Sequence, residues 1–207
     1  MERMHIGLDL DNTLIDYSEV FGVVAQQMEL LGARETRGGK AAVKVRLLER
    51  DPTERLWMRL QGQVYGSHLD KAHLCADAGE FLMFARERGA RVSIVSHKTR
   101  HGHFDPAQID LWDAARGWLR ENGFFDPDRF ALTEADVHFE ATREAKIARI
   151  AGIGCHIFID DLEDVLRHPA FPSHVERIWY AADPAPAPGL VRCGSWGEIM
   201  DKLAERL

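Results

Sequence analysis

Residues 4–14 constrain the fold of this 207-residue chain more than any other stretch. The stretch begins as a short apolar run with the length of a buried strand, and then changes abruptly to two carboxylates separated by one residue, Asp9 and Asp11. The turn formers Asn12 and Thr13 follow. Because open α/β sheets bind their ligands beyond the carboxyl ends of the strands, this pattern predicts two acids at the ligand-binding edge of such a sheet.

The run Asp9-Leu10-Asp11-Asn12-Thr13-Leu14 resembles the first motif of the haloacid dehalogenase (HAD) superfamily, most of whose members are magnesium-dependent phosphohydrolases. The resemblance implies that Asp9 is the nucleophile that takes up the phosphoryl group and that Asp11 is the general acid and base. It also implies Mg²⁺ as the cofactor, with Asp9 and the backbone carbonyl of Asp11 among its ligands. An acid at position 11 favours phosphatase or phosphotransfer chemistry over dehalogenation. We expect Asn12 and Thr13 to contact the substrate.

A second β-type run covers residues 91–96 and ends on Ser96. A hydroxyl at a strand end, followed by free backbone N–H groups, suits a phosphate contact. The position of this run in the chain resembles the second HAD motif, which implies that Ser96 holds a phosphate oxygen.

The loop after Ser96 is strongly basic, although the chain as a whole has a formal net charge of -7. Three interpretations remain open for it: binding of an anionic part of the substrate, a solvated basic loop, or ligation of a transition metal by its histidines. The first interpretation assigns substrate contacts to His97, Lys98, Arg100, His101 and His103.

Residues 142–150 are predicted to form a short helix that leads into a buried strand, with Thr142 as its N-cap. Such a helix runs antiparallel to the strand, so its first turn lies at the carboxyl edge of the sheet and places Lys146 near Asp9. This arrangement resembles the third HAD motif, a lysine that pairs with the nucleophile and the phosphate. Lys98, also at a strand end, is the alternative for the catalytic lysine.

Residues 156–164 form another apolar run that ends in acids, and they resemble the fourth HAD motif, which supplies metal ligands. The resemblance implies that Asp160 binds Mg²⁺ directly, while Asp161 and Asp164 orient metal-bound water. The alternative is a helix N-terminus, where acids are favoured by the helix dipole.

Alternating strands and helices predict an α/β fold with a mainly parallel sheet flanked by helices, the Rossmann-like core of HAD proteins. Because about 75 mostly helical residues separate the first two strands, residues 17–75 are predicted to be a helical insertion. By the resemblance this insertion is a small cap that selects the substrate; a plain helical subdomain is the alternative. Residues 1–16 and 76–207 would then form the core.

The remaining predicted elements follow from hydrophobic periodicity and turn residues. They are helices over 19–31, 40–49, 54–65, 74–89, 106–122 and 195–207, strands over 136–140, 177–180 and 191–193, and a surface loop over 184–189.

The composition restricts the function classes. The acidic net charge argues against a nucleic-acid polymer as partner. The absence of a long apolar run or a signal-like start predicts no membrane span and no export. Three cysteines without paired spacing, Cys75, Cys155 and Cys193, suggest reduced thiols in the cytoplasm. We expect a monomer or homodimer.

These features together predict a magnesium-dependent phosphohydrolase that acts on a small phosphorylated metabolite, such as a sugar phosphate or a nucleotide, through an aspartyl-phosphate intermediate. One alternative is a phosphotransferase or phosphomutase with the same first step. The other is a catalytically idle HAD-like module that binds a ligand or a partner.

Overall fold

The computed structural model describes residues 3–182 and 188–207, so the loop predicted over 184–189 lies mostly outside the described residues. The chain divides into two compact units, which we call the sheet unit and the helical unit. The sheet unit contains Met1–Ile15, Leu74–Lys98 and Asn122–Leu207, and the helical unit contains Asp16–His73 and Thr99–Glu121.

The described chain contains eight strands, numbered in chain order. They are β1 (His5–Leu8), β2 (Ile15–Asp16), β3 (His73–Leu74), β4 (Arg91–His97), β5 (Val137–Glu140), β6 (Ile157–Asp160), β7 (Glu176–Tyr180) and β8 (Val191–Cys193). Six of them form one sheet in the order β5-β4-β1-β6-β7-β8, and every pairing in it is parallel. The predicted α/β fold with a parallel sheet is therefore confirmed.

Eight α-helices occur in the same described ranges. They are α1 (Val20–Gln27), α2 (Gly39–Arg50), α3 (Arg55–Tyr65), α4 (Ala78–Glu87), α5 (Leu111–Glu121), α6 (Arg143–Ile153), α7 (Glu163–Leu166) and α8 (Trp196–Leu203). None of them is long and apolar enough to cross a membrane.

The central strands of the sheet unit are buried along their whole length, because helices cover a parallel sheet on both faces. Phe158 on β6 packs with apolar residues of α6 and α7, including Ile147 and Val165. β1 carries Gly7 beside this ring, where an added Cβ would lie only 2.5 Å from a ring carbon of Phe158. Each such large apolar side chain contributes about 1.5–3 kcal/mol when fully buried.

The helical unit has its own aromatic core. Phe21 of α1 stacks on Trp57 of α3 with ring centroids 5.1 Å apart, and the ammonium group of Lys40 lies 5.0 Å from the Phe21 ring. The α5 residue Trp118 donates its indole N–H to the carbonyl of Ala72 at 3.1 Å. This packing explains why residues 99–121 belong to the helical unit, whereas the hydrophobic pattern predicts them as part of the core. A cap function for residues 17–75 stays a prediction.

Two predicted helix starts were wrong, for local reasons. The helix predicted from residue 106 begins at Leu111, because the carboxylate of Asp110 accepts hydrogen bonds from the backbone N–H groups of Trp112 and Asp113 and so caps the helix there. The helix predicted from residue 74 begins at Ala78, since Asp77 has a left-handed backbone with φ of 61°.

Candidate active site

Two adjacent strands, β1 and β6, bring acidic side chains together at their carboxyl ends. Asp9 directly follows β1 and donates its backbone N–H to the carbonyl of Ile159 at 2.9 Å, which extends the β1–β6 pairing by one residue. Asp160 ends β6, and Asp161 is the next residue. One carboxylate oxygen from each of Asp9, Asp160 and Asp161 lies within 4.8 Å of the other two. The predicted convergence of these acids is therefore present.

Lys146 lies between two of these carboxylates. It belongs to the first turn of α6, which Thr142 caps by accepting a hydrogen bond from the backbone N–H of Ala145 at 3.1 Å, as predicted. Its ammonium nitrogen is 2.6 Å from Asp9 Oδ1 and 2.6 Å from Asp160 Oδ2, and the side chain is only 1% exposed. Lys146 thus lies where the sequence analysis expected it.

The electrostatics of this buried group follow from its packing. Burial raises the pKa of Asp9 well above its ordinary value; the ammonium of Lys146 opposes this shift, and the nearby carboxylates of Asp160 and Asp161 add to it. Burial by itself lowers the pKa of Lys146, but the carboxylates of Asp160 and Asp9 outweigh burial and leave that pKa above its ordinary value. Three carboxylates around one ammonium therefore form a site that favours additional positive charge.

The turn after β1 orients the nucleophile candidate. The backbone N–H groups of Leu14 and Ile15 donate to the carbonyl of Leu10, and Asn12 takes a left-handed φ of 62°, which asparagine tolerates. This turn points the buried Thr13 hydroxyl at Asp9, where it donates to Oδ2 at 3.3 Å. Thr13 thus contacts Asp9, and the predicted substrate contacts of Asn12 and Thr13 stay predictions.

β4 contributes a serine and a lysine to the same edge. Ser96 is buried, and no hydrogen-bond partner for its hydroxyl lies among the described residues. Such a buried hydroxyl is normally satisfied, so a ligand oxygen is a reasonable partner for it. Lys98, two residues further, forms an ion pair of 2.7 Å with Asp11 Oδ2.

The basic loop is divided between the two units, and the substrate contacts predicted for it stay predictions. His97 and Lys98 belong to the sheet unit, whereas Arg100, His101 and His103 are exposed residues of the helical unit. Burial lowers the pKa of His97. Arg100 pairs with Asp110 at 2.7 Å, so its charge is already partly compensated.

Metal ligation by the loop histidines finds no support. Within the described ranges, the one set of three side chains that could hold a metal ion is that of Asp9, Asp160 and Asp161. Asp164 lies outside this set: its side chain is exposed, and it forms an ion pair with Arg143 at 3.9 Å. The predicted part of Asp164 in orienting metal-bound water stays a prediction.

The donor set fits Mg²⁺. Carboxylate oxygens are the ligands that this ion prefers, and here three of them converge within 4.8 Å of one another. The carboxylates of Asp9, Asp160 and Asp161 together with the ammonium of Lys146 carry a formal charge of −2, which one divalent cation would neutralise. Asp9, Asp160 and Asp161 are the residues that would hold the ion.

Sequence reasoning found these residues but missed one pairing. It gave Lys98 a substrate contact, with the role of catalytic lysine as the alternative, and did not predict the ion pair of Lys98 with Asp11. The signal that would have revealed the pairing is the adjacency of β1 and β4, in which Leu8 lies opposite Ile94. Continued past the strand ends, that register brings position 11 beside positions 97 and 98.

Comparison with known proteins identifies relatives by structure alone. No family model matches the chain, and no curated protein matches it. A HAD family hydrolase from Deinococcus radiodurans, crystallised with phosphate and sodium, has a TM-score of 0.59 at 15% identity over 98% of this chain and 96% of that one. A HAD hydrolase from Bacillus subtilis bound to magnesium has a TM-score of 0.55 at 12% identity, over 98% and 99% of the two chains. A protein from Haemophilus somnus, described as a predicted phosphoglycolate phosphatase, has a TM-score of 0.56 at 13% identity over 98% of both.

Proposed function

We propose that this chain, which has the fold of HAD hydrolases, is a magnesium-dependent phosphohydrolase that acts on a small phosphomonoester through an aspartyl-phosphate intermediate. The observation that carries the proposal is the buried contact of Lys146 Nζ with Asp9 and Asp160, 2.6 Å from each, beside Asp161. A nucleophilic carboxylate, a metal-binding carboxylate and a fixed cation at one sheet edge are the parts that this reaction needs.

In the first step Asp9 attacks phosphorus. A bond forms between a carboxylate oxygen of Asp9 and phosphorus, and the bond from phosphorus to the ester oxygen breaks. Asp11 gives its proton to the departing oxygen, so the leaving group departs as an alcohol. Thr13 and Lys146 each bind one oxygen of Asp9 and hold its carboxylate in a defined orientation.

In the second step water replaces Asp9. Asp11 takes a proton from the water molecule as its oxygen attacks phosphorus, and the bond between phosphorus and Asp9 breaks. Inorganic phosphate leaves, and the Asp9 carboxylate is restored. A carboxylate nucleophile thus divides one difficult displacement into two easier ones.

Two further groups stabilise the charge that develops on the phosphoryl oxygens. The Ser96 hydroxyl is buried at the end of β4 and available to donate to one of these oxygens. Lys146, whose ammonium contacts Asp9, offsets part of the negative charge. Bound Mg²⁺, held by Asp9, Asp160 and Asp161, would supply Lewis acidity and reduce the repulsion between the site and an incoming phosphate.

The structural neighbours support this proposal at the level of fold. One neighbour binds phosphate, one binds magnesium, and one is described as a predicted phosphatase. We extend the reaction class to this chain because its own acids and lysine lie together at the sheet edge. The small phosphorylated metabolite as partner, and the cytoplasmic location, stay predictions.

The test is a panel of phosphate esters assayed with Mg²⁺ and with chelator, using the wild-type chain and Asp9→Asn. We expect the wild type to release inorganic phosphate from at least one small ester only with Mg²⁺. Asp9→Asn should lose this activity by about 10³-fold or more while keeping the wild-type circular dichroism spectrum. Retained turnover in Asp9→Asn would contradict the proposal. So would transfer of the phosphoryl group to a second substrate in place of release as inorganic phosphate.

A further inference from the structure

A second buried lysine, Lys98, lies at the carboxyl edge of the sheet, and the proposed reaction assigns no role to it. The side chain of Lys98 is 3% exposed, and its ammonium nitrogen is 2.7 Å from Asp11 Oδ2. Lys146 cannot replace it, because its own ammonium is shared between Asp9 and Asp160. Each lysine of the site therefore has its own carboxylate partners.

Lys98 is attached to a rigid part of the sheet. It directly follows β4, and its backbone N–H donates to the carbonyl of Glu140 at 2.9 Å, which continues the β4–β5 ladder past the strand end. Asp11 lies instead in a turn and has a side chain that is 16% exposed. A short side chain in a turn has several staggered rotamers available, and an ion pair to a fixed partner selects one of them.

We propose that Lys98 is a positioning residue that fixes the carboxyl group of Asp11 for proton transfer, rather than a ligand of the substrate phosphate. This inference rests on the proposed function, in which Asp11 serves the leaving oxygen and then the attacking water. Proton transfer is sensitive to such positioning, because the donor must lie within hydrogen-bond distance of the reacting oxygen. Lys98 acts through Asp11 and need not touch the substrate.

The test compares two kinds of leaving group. An alkyl phosphate needs a proton on its departing oxygen, whereas p-nitrophenolate leaves readily without one. For Lys98→Met we expect kcat/KM to fall about 10²-fold for the alkyl phosphate that the wild type hydrolyses fastest, but less than about 5-fold for p-nitrophenyl phosphate. Lys98→Arg should restore part of the loss, because a guanidinium group also pairs with a carboxylate.

Two comparisons make the kinetic result specific. The double variant Lys98→Met/Asp11→Asn should have the same kcat/KM as Asp11→Asn alone, because Lys98 acts only through the proton transfer that Asp11→Asn already removes. Lys202→Met, which alters an exposed lysine of α8, should match the wild type on both substrates. Equal losses on the two substrates in Lys98→Met would overturn the inference and would assign Lys98 to the substrate phosphate.

A double-mutant cycle, read out as melting temperatures, tests the pairing of Lys98 with Asp11 without relying on enzyme activity. With chelator present, Lys98→Met should lower the Tm, because it leaves the Asp11 carboxylate without its cation, and this loss should be smaller in the Asp11→Asn background. The double variant should lose clearly less than the two single changes combined. Additive changes would overturn the inference even if the wild type were active. An inactive wild type with a non-additive cycle would instead count against the proposed function alone.

Discussion

Two serines of β4 differ in what their hydroxyl groups contact. Ser93 is fully buried, and its hydroxyl is hydrogen-bonded to Nε2 of His5 at 2.9 Å. Ser96, three residues along the same strand, is equally buried, yet its hydroxyl has no partner among the residues that the structure describes. The first hydroxyl stabilises the fold, and the second is available to a ligand.

This difference predicts opposite results for two matched variants. Ser93→Ala should lower the free energy of unfolding by about 1 kcal/mol or more, because it leaves His5 without its buried partner, and should leave kcat/KM unchanged. Ser96→Ala should leave the free energy of unfolding within about 0.5 kcal/mol of wild type but lower kcat/KM about 10-fold or more. Urea titrations and steady-state assays measure both. A Ser96→Ala variant with full activity would remove this residue from the site.

The sequence predicted the positions of individual site residues well where they belong to a recognisable motif. Asp9, Lys146 and Asp160 were each predicted from an apolar run or a helix start beside them, and the structure brings all three together. The partner of Lys98 was not predictable in that way. It depends on which strands are adjacent, and hydrophobic patterns do not encode strand order.

Among the elements, β1 has different chemistry at its two ends. Its carboxyl end leads to Asp9, whereas its amino end begins with the buried His5, whose backbone N–H donates to Nδ1 of His156 at 3.0 Å. Burial lowers the pKa of His5; the charges of Arg91 and His156 lower it further, and Asp136 opposes them. The folded state thus favours the neutral imidazole.

The lowered pKa makes stability depend on pH with a defined sign. Below the ordinary histidine pKa of about 6.5 the unfolded chain binds a proton at His5 that the folded chain does not bind, so stability falls as the pH decreases towards the folded-state pKa. Urea unfolding between about pH 7.5 and 5.5 should therefore show decreasing stability, with a shallower slope for His5→Leu. An identical slope in the variant would contradict this account of His5.

Element boundaries show where sequence patterns lose information. Long apolar runs and helical stripes were located correctly, because each spans several periods, but their ends were not. The helix predicted over 19–31 ends at Gln27, and the helix predicted over 195–207 ends at Leu203. β2 and β3 were missed, since each has only two residues and offers no period to detect. The start of the helix predicted over 106–122 was wrong, because the capping carboxylate of Asp110, rather than an apolar residue, determines where α5 begins.

For the whole molecule, the sequence predicted the α/β class but not the full division of the chain. The insertion between the first two strands was visible as a long helical stretch. The assignment of residues 99–121 to the helical unit was not visible, because it depends on contacts between segments far apart in sequence, such as that of Trp118 with Ala72. Amphipathic helices indicate that a partner surface exists, and only the folded structure identifies it.

The central claim is that Asp9 carries the phosphoryl group during the reaction. The most direct measurement mixes the protein with its fastest ester and Mg²⁺, quenches the reaction in acid within the first turnover, and determines intact and peptide masses. We predict a mass increase of one phosphoryl group on the peptide that contains Asp9, absent from Asp9→Asn and from a chelator control. Active protein that never shows this modification, or shows it on another residue, would contradict the account.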